Sequence, residues 1–411
     1  MKKNKIFIVP FLILLTLLKL NFVFAAEGQV EIPNVTADSY IVIDNKTNKV
    51  LYNKNENKKM YPASTTKILT AIMTLENCSL DDTVTASYDA IMSIPEGYSI
   101  ANIQIGEQFT VEQLLELLLV HSANDAANVL AEFVGGTMDS FVNMMNTKLN
   151  ELGINNSHFT NAFGLHDRNH YTTAKDLAKI MQYCLKNETF RKISGQASCA
   201  ISATNKYGPR SYSSTNELLD SSSSYYYNYL ISGKTGFTTQ AQGCLVSAAY
   251  KDNLELIGVV LYSDSRFSDT RKLYEYTYSN YFIKDIVNTN DLVTSIKVSN
   301  ATKETENLNL LSDTTISALI NNNLEINLEP EIYLNEKISA PIEEGTILGK
   351  ATYKIDGISY ETNLIAEHSV EKSYLWLYIT CFSIIILMLL FIIYKKKNSS
   401  RRNKRKKYNR L

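Results

Sequence analysis

The feature that most constrains this chain is a stretch of 21 residues, 374–394, without a single charged side chain. As a helix, this stretch would be roughly 30 Å long, which is enough to cross the hydrocarbon core of a bilayer. Lys395 to Lys397 follow directly, and a second basic cluster begins at Arg401. Because basic residues favour the cytoplasmic side, we expect a transmembrane helix at 374–394 and a basic cytoplasmic tail at 395–411.

The N-terminus carries a second apolar stretch. Lys2 and Lys3 precede a nearly continuous apolar run from Ile6 to Leu18, and small residues follow at Ala25 and Ala26. This arrangement predicts a secretory signal peptide over residues 1–25. An uncleaved membrane anchor is the alternative, which the shortness of the run disfavours. In either case the middle of the chain is exported.

The formal net charge of −1 hides an uneven distribution. Residues 1–25 contain four lysines and residues 374–411 contain ten basic residues, with no acidic residue in either segment. The remaining residues, 26–373, contain 27 basic and 42 acidic residues, a balance of −15. This acidic balance disfavours a nucleic-acid-binding protein, whose folded part is normally basic.

The cysteines indicate neither a disulfide framework nor a zinc site. The chain has five cysteines, and none of them forms a C-x-x-C pair. Cys381 lies in the apolar span, and most of the others are expected to be small buried residues (Cys78, Cys184, Cys199 and Cys244). No metal site is predicted.

Strands are predicted at both ends of the first half of the exported part. Residues 39–52 read as two strands joined by an Asp/Asn turn, and residues 245–250 and 254–262 read as two more. Between them, helical periodicity begins near Ser64, and Thr110 opens a capping box. This order predicts a sheet with an inserted helical region over residues 26–287.

A break near residues 287–290 separates a second region. From there to about residue 369 the chain has short alternating segments and no convincing helix over most of its length. Asp356 and Gly357, flanked by two such segments, are a hairpin signal. We therefore expect a β-rich domain over 288–370, between the first domain and the membrane.

Three short motifs carry the chemistry. They are S-x-x-K at residues 64–67, S-x-N at residues 122–124 and K-T-G at residues 234–236. Each is weak alone, because S-x-x-K recurs at 369–372 and S-x-N at 214–216, whereas K-T-G occurs once. The first motif is expected at a helix start, the second between two helices, and the third just before a strand.

Together the motifs suit nucleophilic catalysis. Residues three apart share a helix face, so Lys67 lies beside Ser64 and can serve as its base if the amine is neutral. Burial near another cation, Lys234, would achieve that. The backbone N–H groups of Ser64 and of Phe237 are candidates to stabilise a developing oxyanion. Gly236 would let a substrate backbone approach closely. Ser122 is suited to relay a proton and Asn124 to hold a peptide carbonyl.

The order and setting of these motifs resemble those of the serine D-alanyl-D-alanine carboxypeptidases, the low-molecular-mass penicillin-binding proteins. The resemblance covers about residues 35–285, and the matching segments are 62–67, 122–126, 161–174, 233–238 and 243–246. It implies an α/β (α+β) fold of the β-lactamase/transpeptidase-like type, with an antiparallel sheet and a helical subdomain. A small β-rich membrane-proximal domain is also expected.

The resemblance also implies residue roles. Ser64 would be the acylated nucleophile and Lys67 the general base, and Ser122 and Asn124 would form the second-motif pair. Lys234, Thr235 and Gly236 would bind the substrate's terminal carboxylate and line the cleft. Arg266 resembles a family arginine near that carboxylate, with a surface ion pair as the alternative. Ala123 departs from the glycine that the family often has there, and its methyl group is expected to narrow the cleft slightly.

The implied function is removal of the terminal D-Ala from peptidoglycan stem peptides, with β-lactam antibiotics as covalent inhibitors and no cofactor. One alternative is a β-lactamase, but residues 155–158 lack the glutamate of the E-x-x-L-N segment that class A enzymes use for deacylation. Another is a membrane-held penicillin-binding sensor that acylates without turnover. His166, Asp167 and His170 form a weak alternative metal site. The implied location is the outer face of a bacterial cell membrane.

Overall fold

The computed structural model describes residues 32–325 and 328–408. The predicted signal peptide at 1–25 lies outside the described residues. The chain divides into two compact units. The first contains residues 50–249 and 256–277, together with the strand that ends near Ile43. The second contains the chain from Tyr278 onward, together with two turns, Asp44–Lys49 and Tyr250–Glu255.

The first unit is built around a five-stranded sheet. The strands of the first unit are β1 (Ser39–Asp44), β2 (Val50–Lys54), β3 (Thr83–Thr85), β4 (Gln108–Thr110), β5 (Ser198–Ile201), β6 (Arg210–Ser213), β7 (Leu230–Thr238), β8 (Gln242–Lys251) and β9 (Leu254–Ser263). The large sheet has the order β2-β1-β9-β8-β7, and β3-β4 and β5-β6 form two small ribbons. The pairs β1-β2 and β7-β8 are antiparallel, as the predicted hairpin at 39–52 requires.

The helical region lies between β2 and β7 in the chain, as predicted, and one further helix follows β9. The helices are α1 (Lys67–Asn77), α2 (Tyr88–Met92), α3 (Val111–Leu119), α4 (Asn124–Gly135), α5 (Met138–Glu151), α6 (Ala174–Cys184), α7 (Glu188–Ser194) and α8 (Arg266–Asn280). The capping box predicted at Thr110 is confirmed, because Thr110 and Gln113 exchange side-chain-to-backbone hydrogen bonds. Helix α4 is capped at its C-terminus by Gly136, whose φ of 72° is the left-handed conformation that favours glycine.

The core of the first unit explains why the helices assemble in this way. The leucines on α3 that repeat at helical spacing, such as Leu114, Leu115 and Leu118, are fully buried. They belong to one continuous hydrophobic cluster with apolar residues of α1, such as Ile68 and Leu69. Burial of a leucine of this kind contributes roughly 1.5–3 kcal/mol. The helices that carry the first two motifs are therefore fixed by a shared core.

The second unit is β-rich. Its strands are β10 (Tyr281–Val287), β11 (Leu292–Lys297), β12 (Asn307–Ser312), β13 (Ile316–Asn321), β14 (Glu331–Leu334), β15 (Ile347–Ile355) and β16 (Ile358–Ala366). Five of them form a sheet in the order β11-β12-β16-β15-β14, and β10 pairs with β13. The hairpin predicted at Asp356 and Gly357 is confirmed, because β15 and β16 pair up to Ile355 and Ile358. Strand β10 was not predicted from the sequence, because its partner strand, β13, lies some thirty residues further along the chain.

The C-terminal helix, α9 (Leu375–Tyr408), contains the apolar stretch. Among the residues described, it is the one helix long and apolar enough to cross a membrane, with a mean hydropathy of 2.7 over its most apolar window. The helix continues beyond the predicted end of the span at residue 394. Lysine and arginine are good helix formers, so the basic residues extend the helix.

Candidate active site

The first motif forms a short 3₁₀ turn, Ala63–Thr66, which we call the nucleophile turn and which leads directly into α1. Ser64 is half-buried and therefore reachable from solvent, whereas Lys67 is fully buried. The Lys67 Nζ atom lies 2.9 Å from Ser64 Oγ. The structure thus places the predicted base within hydrogen-bonding distance of the predicted nucleophile.

Lys67 has two further partners. Its Nζ donates to Asn124 Oδ1 at 2.6 Å and to the backbone carbonyl of Phe163 at 3.0 Å. Burial holds the pKa of Lys67 well below its usual value, the positive charge of Lys234 lowers it further, and the carboxylate of Asp125 opposes both. A neutral amine has two N–H groups and one lone pair. If the N–H groups point to Asn124 and Phe163, the lone pair faces the Ser64 hydroxyl.

The second motif lies between α3 and α4. Ser122 has a φ of 65°, an uncommon conformation for a residue with a side chain, and such strained residues cluster at functional sites. Asn124 is the first residue of α4, and its N–H donates to the carbonyl of Ser99 at 2.9 Å. The side chain of Ala123 is fully buried. Its methyl group therefore packs in the core and does not narrow the cleft.

Asp125, which follows the second motif, connects it by hydrogen bonds to the segment around residues 101–103. Its carboxylate accepts hydrogen bonds from the backbone N–H groups of Ala101 and Ile103, each at 3.0 Å. The side chain is 2% exposed, so these bonds are shielded from water. Sequence inspection gave this residue no role beyond its place in the matched segment.

The third motif lies inside β7, so the expectation that it precedes a strand was wrong. Burial and, to a lesser degree, Arg266 lower the pKa of Lys234 to about 7. The Lys234 Nζ atom donates to Ser122 Oγ at 2.8 Å and to the carbonyl of Thr235 at 3.0 Å. A Cβ at Gly236 would lie 2.9 Å from both Pro62 O and Ser64 N. Glycine is therefore required for β7 to approach the nucleophile turn.

Phe237 and Arg266 lie near the C-terminal end of β7, next to Gly236. The Phe237 side chain is 62% exposed, and the role predicted for this residue concerns its backbone N–H alone. Arg266 is the first residue of α8, and its Nη1 donates to the carbonyl of Gly236 at 3.2 Å. Within the part of the chain that the structure describes, Arg266 makes no salt bridge.

Thr215 was treated as part of a chance copy of the second motif, yet it lies in the site. Its N–H donates to the carbonyl of Val120 at 3.1 Å, and its hydroxyl lies 2.5 Å from the Thr235 hydroxyl. Residue Phe163 was also missed, because it contributes a backbone carbonyl. A single sequence gives no signal for either residue, because Thr215 is the unspecified middle residue of an S-x-N pattern and Phe163 acts through its carbonyl.

The loop that carries Phe163 is folded around Asn161. The Oδ1 atom of Asn161 accepts the N–H groups of Phe163 at 3.3 Å, Gly164 at 2.8 Å and Leu165 at 2.9 Å. These bonds fix the direction of the Phe163 carbonyl, which in turn holds Lys67. His166, Asp167 and His170 follow in the same loop, and no group of three metal-ligating side chains occurs among residues 32–325 and 328–408.

Comparisons with known proteins agree with this arrangement. The family described as D-alanyl-D-alanine carboxypeptidase matches residues 26–265, more than half of the chain, and the penicillin-binding protein 5 C-terminal domain matches residues 282–372. The chain is 31% identical to the D-alanyl-D-alanine carboxypeptidase DacF of Bacillus subtilis, over 82% of this chain and 86% of the relative.

Two solved structures extend the likeness. Penicillin-binding protein 5 of Haemophilus influenzae is 26% identical, with a TM-score of 0.63 that covers 84% of this chain and all of the other. The Streptomyces K15 DD-transpeptidase is 32% identical, with a TM-score of 0.57 over 61% of this chain and all of the other. The chain therefore belongs to the D-alanyl-D-alanine carboxypeptidase family of serine hydrolases.

Proposed function

We propose that this enzyme removes the terminal D-Ala from peptidoglycan stem peptides through an acyl-enzyme on Ser64. The single observation that carries the proposal is the buried Lys67 amine, held 2.9 Å from Ser64 Oγ with a lowered pKa. A neutral amine in that position can take the proton that the hydroxyl must lose to become a nucleophile.

Acylation then proceeds as follows. Ser64 Oγ attacks the carbonyl carbon of the penultimate D-Ala while its proton passes to Lys67. The tetrahedral oxyanion lies near the N–H groups of Ser64 and Phe237. When the C–N bond breaks, the proton held by Lys67 passes to the leaving D-Ala nitrogen through Ser122, which Lys234 contacts at 2.8 Å. Water then attacks the Ser64 ester and gives a proton to Lys67, which passes it to Ser64 Oγ as the shortened peptide leaves.

The terminal carboxylate of the substrate is assigned to the third motif. Lys234, the Thr235 hydroxyl and Arg266 surround the end of β7 that adjoins Ser64, and all three can donate hydrogen bonds. The Thr215 hydroxyl at 2.5 Å gives Thr235 a second hydroxyl neighbour. If Thr215 donates to Thr235, the Thr235 proton is left to donate to the carboxylate. Asn124 completes the cleft by holding a peptide group on the acyl side.

We also infer how the enzyme is placed in the cell. Helix α9 has the length and hydropathy of a membrane span, and basic residues follow the span directly. The positive-inside rule favours a cytoplasmic tail. The catalytic unit would then lie on the extracytoplasmic side, where stem peptides and β-lactams are found.

The activity is tested with the full-length protein in detergent. We expect it to form a covalent adduct with labelled penicillin and to release D-Ala from a peptide that ends in D-Ala-D-Ala. Labelling without D-Ala release would favour the non-turnover sensor, and rapid hydrolysis of penicillin would favour a β-lactamase. Either result would contradict the carboxypeptidase proposal.

The replacement Asp125→Asn tests the role of Lys67. The Asp125 carboxylate raises the pKa of Lys67, so its loss lowers that pKa further. Acylation requires the neutral amine and falls as the pH drops below the pKa of Lys67. We therefore expect the acidic limb of the acylation rate against pH to move to lower pH. The lost backbone hydrogen bond should also cost about 1–3 kcal/mol of stability.

A matched control separates the effect of the lost charge on Lys67 from the effect of a lost buried hydrogen bond. Asp44 is also buried, at 1% exposed, and its two carboxylate oxygens accept the backbone N–H groups of Lys46 at 3.3 Å and Thr47 at 2.9 Å. Asp44→Asn should destabilise the protein to a similar extent and leave the pH limb where it is. An equal shift in both variants, or none in Asp125→Asn, would contradict the assignment of Lys67 as the base.

A further inference from the structure

His170 is buried in the loop before α6, and each of its two ring nitrogens has hydrogen-bond partners. Its Nδ1 accepts the backbone N–H of Thr160 at 3.0 Å, and its Nε2 lies 2.9 Å from Thr66 Oγ1. Because a backbone N–H can only donate, Nδ1 must be unprotonated and Nε2 must carry the hydrogen. Burial, opposed by Asp167 and assisted by His158 and His166, lowers the pKa of His170 to about 3. The ring is therefore neutral at physiological pH.

Thr66 connects the His170 ring to the nucleophile turn by hydrogen bonds. Its Oγ1 accepts the hydrogen of His170 Nε2, so its own hydrogen is free to donate, and Ala63 O lies 2.8 Å away. Ala63 has a φ of 47°, a conformation that costs a residue with a side chain about 1–2 kcal/mol. Such a conformation persists only where the surroundings impose it. The Thr66 hydroxyl is one group that does so.

The carbonyl of Ala63 and the N–H of Ser64 belong to the same peptide group. In a planar trans peptide these two groups point in opposite directions. A hydrogen bond that fixes the Ala63 oxygen therefore also fixes the direction of the Ser64 N–H. That N–H lies beside Gly236 of β7, where a Cβ would come within 2.9 Å of Ser64 N.

We propose that His170 is a positioning residue, which acts through the Thr66 hydroxyl to hold the Ala63–Ser64 peptide with the Ser64 N–H directed at the oxyanion. This inference rests on the proposed function, because it assigns a role to the Ser64 N–H in that reaction. His170 is 1% exposed and therefore shielded from a substrate in the cleft, so its effect is confined to the geometry of one donor.

Two pairs of variants test the inference. Thr66→Val removes the hydroxyl and Thr66→Ser retains it. His170→Asn retains an acceptor near Nδ1 but no donor to Thr66, and His170→Gln retains a donor near Nε2 but no acceptor for Thr160. Thr74→Val is the control for loss of a buried hydroxyl. Thr74 lies further along α1, and its Oγ1 donates to the carbonyl of Thr70, one turn before it.

The readout is specific to the transition state. A boronic acid that forms a tetrahedral adduct with Ser64 should bind about 10- to 100-fold more weakly to Thr66→Val and His170→Asn, and kcat should fall in parallel with little change in KM. Thr66→Ser and His170→Gln should recover most of the loss. Thr74→Val should lower the melting temperature without this effect.

Two results would overturn the inference: boronate affinity within twofold of wild type in both Thr66→Val and His170→Asn, or a His170→Gln variant as defective as His170→Asn. Failure of the proposed function is a separate result. If the wild-type protein releases no D-Ala, the carboxypeptidase proposal is lost, but the boronate comparison still decides whether His170 positions the Ser64 peptide.

Discussion

Replacing Ser64 with alanine is expected to abolish covalent labelling by penicillin and to reduce D-Ala release to the background rate. The bond between enzyme and substrate forms at Ser64 Oγ, and no step of the proposed reaction proceeds without it. Loss of a serine nucleophile of this kind costs on the order of a million-fold in rate. The measurements are gel detection of a fluorescent penicillin and an assay of free D-Ala.

The fold should survive this change. Lys67 keeps its hydrogen bonds to Asn124 Oδ1 and to the Phe163 carbonyl. The control is Ser122→Ala, which removes a proton relay and not the nucleophile. It should still become labelled, about 10²- to 10⁴-fold more slowly. Persistent labelling of Ser64→Ala, or attachment of the label to Ser122, would refute the assignment of the nucleophile.

The second large effect is expected at Gly164. Its φ is +89°, and a Cβ there would lie 1.8 Å from Ala63 O, 2.2 Å from Ala63 C and 2.8 Å from Ser64 N. All three are backbone atoms, so the nucleophile turn or the loop must move. For Gly164→Ala we expect a loss of roughly 2–5 kcal/mol, from about 1–2 for the left-handed backbone and about 1–3 for the displaced contact. Penicillin acylation should fall with it.

Gly153→Ala is the matched control. Gly153 also has a left-handed backbone, with a φ of +65°, but nothing lies within 4 Å of an added Cβ. It should show only the cost of the left-handed backbone and acylate like the wild type. Thermal unfolding and the penicillin acylation rate of both variants measure the difference. Equal destabilisation of the two variants would mean that the loop around Gly164 is not in close contact with the nucleophile turn.

The elements that could be predicted are those whose cause lies within a few residues. The Thr110 capping box and the hairpin at Asp356 and Gly357 depend on local turn and cap chemistry, and both are confirmed. The placement of Lys67 near Ser64 likewise follows from their spacing of three residues in the first motif. In each case the interacting groups are close in sequence.

The elements that could not be predicted depend on pairs distant in sequence. Strand β10 acquires its register from β13, and the third motif lies inside β7 because β8 pairs along its length. Thr215 reaches the Thr235 hydroxyl, 20 residues further along the chain, only after β7 has formed. Phe163 acts through a carbonyl, and every residue has one, so side-chain identity gives no signal.

His170 is an intermediate case. The sequence placed it in a segment that resembles the family, and its residue type raised the alternative of a metal site. Its contacts show instead a fixed tautomer between Thr160 and Thr66. A histidine whose two ring nitrogens both have directional protein partners cannot be told from a metal ligand by sequence spacing.

The assembly of the site from distant segments has a consequence for the newly synthesised chain. Ser64 receives its surroundings from residues near 124, near 163 and near 236, so the cleft closes only when β7 has joined the sheet. Contacts of such large sequence separation form late, because the entropy of closing long loops opposes them. Acylation by a fluorescent penicillin therefore reports completed folding of the first unit. Used as a pulse label on living cells, it would count matured molecules and pass over those still folding.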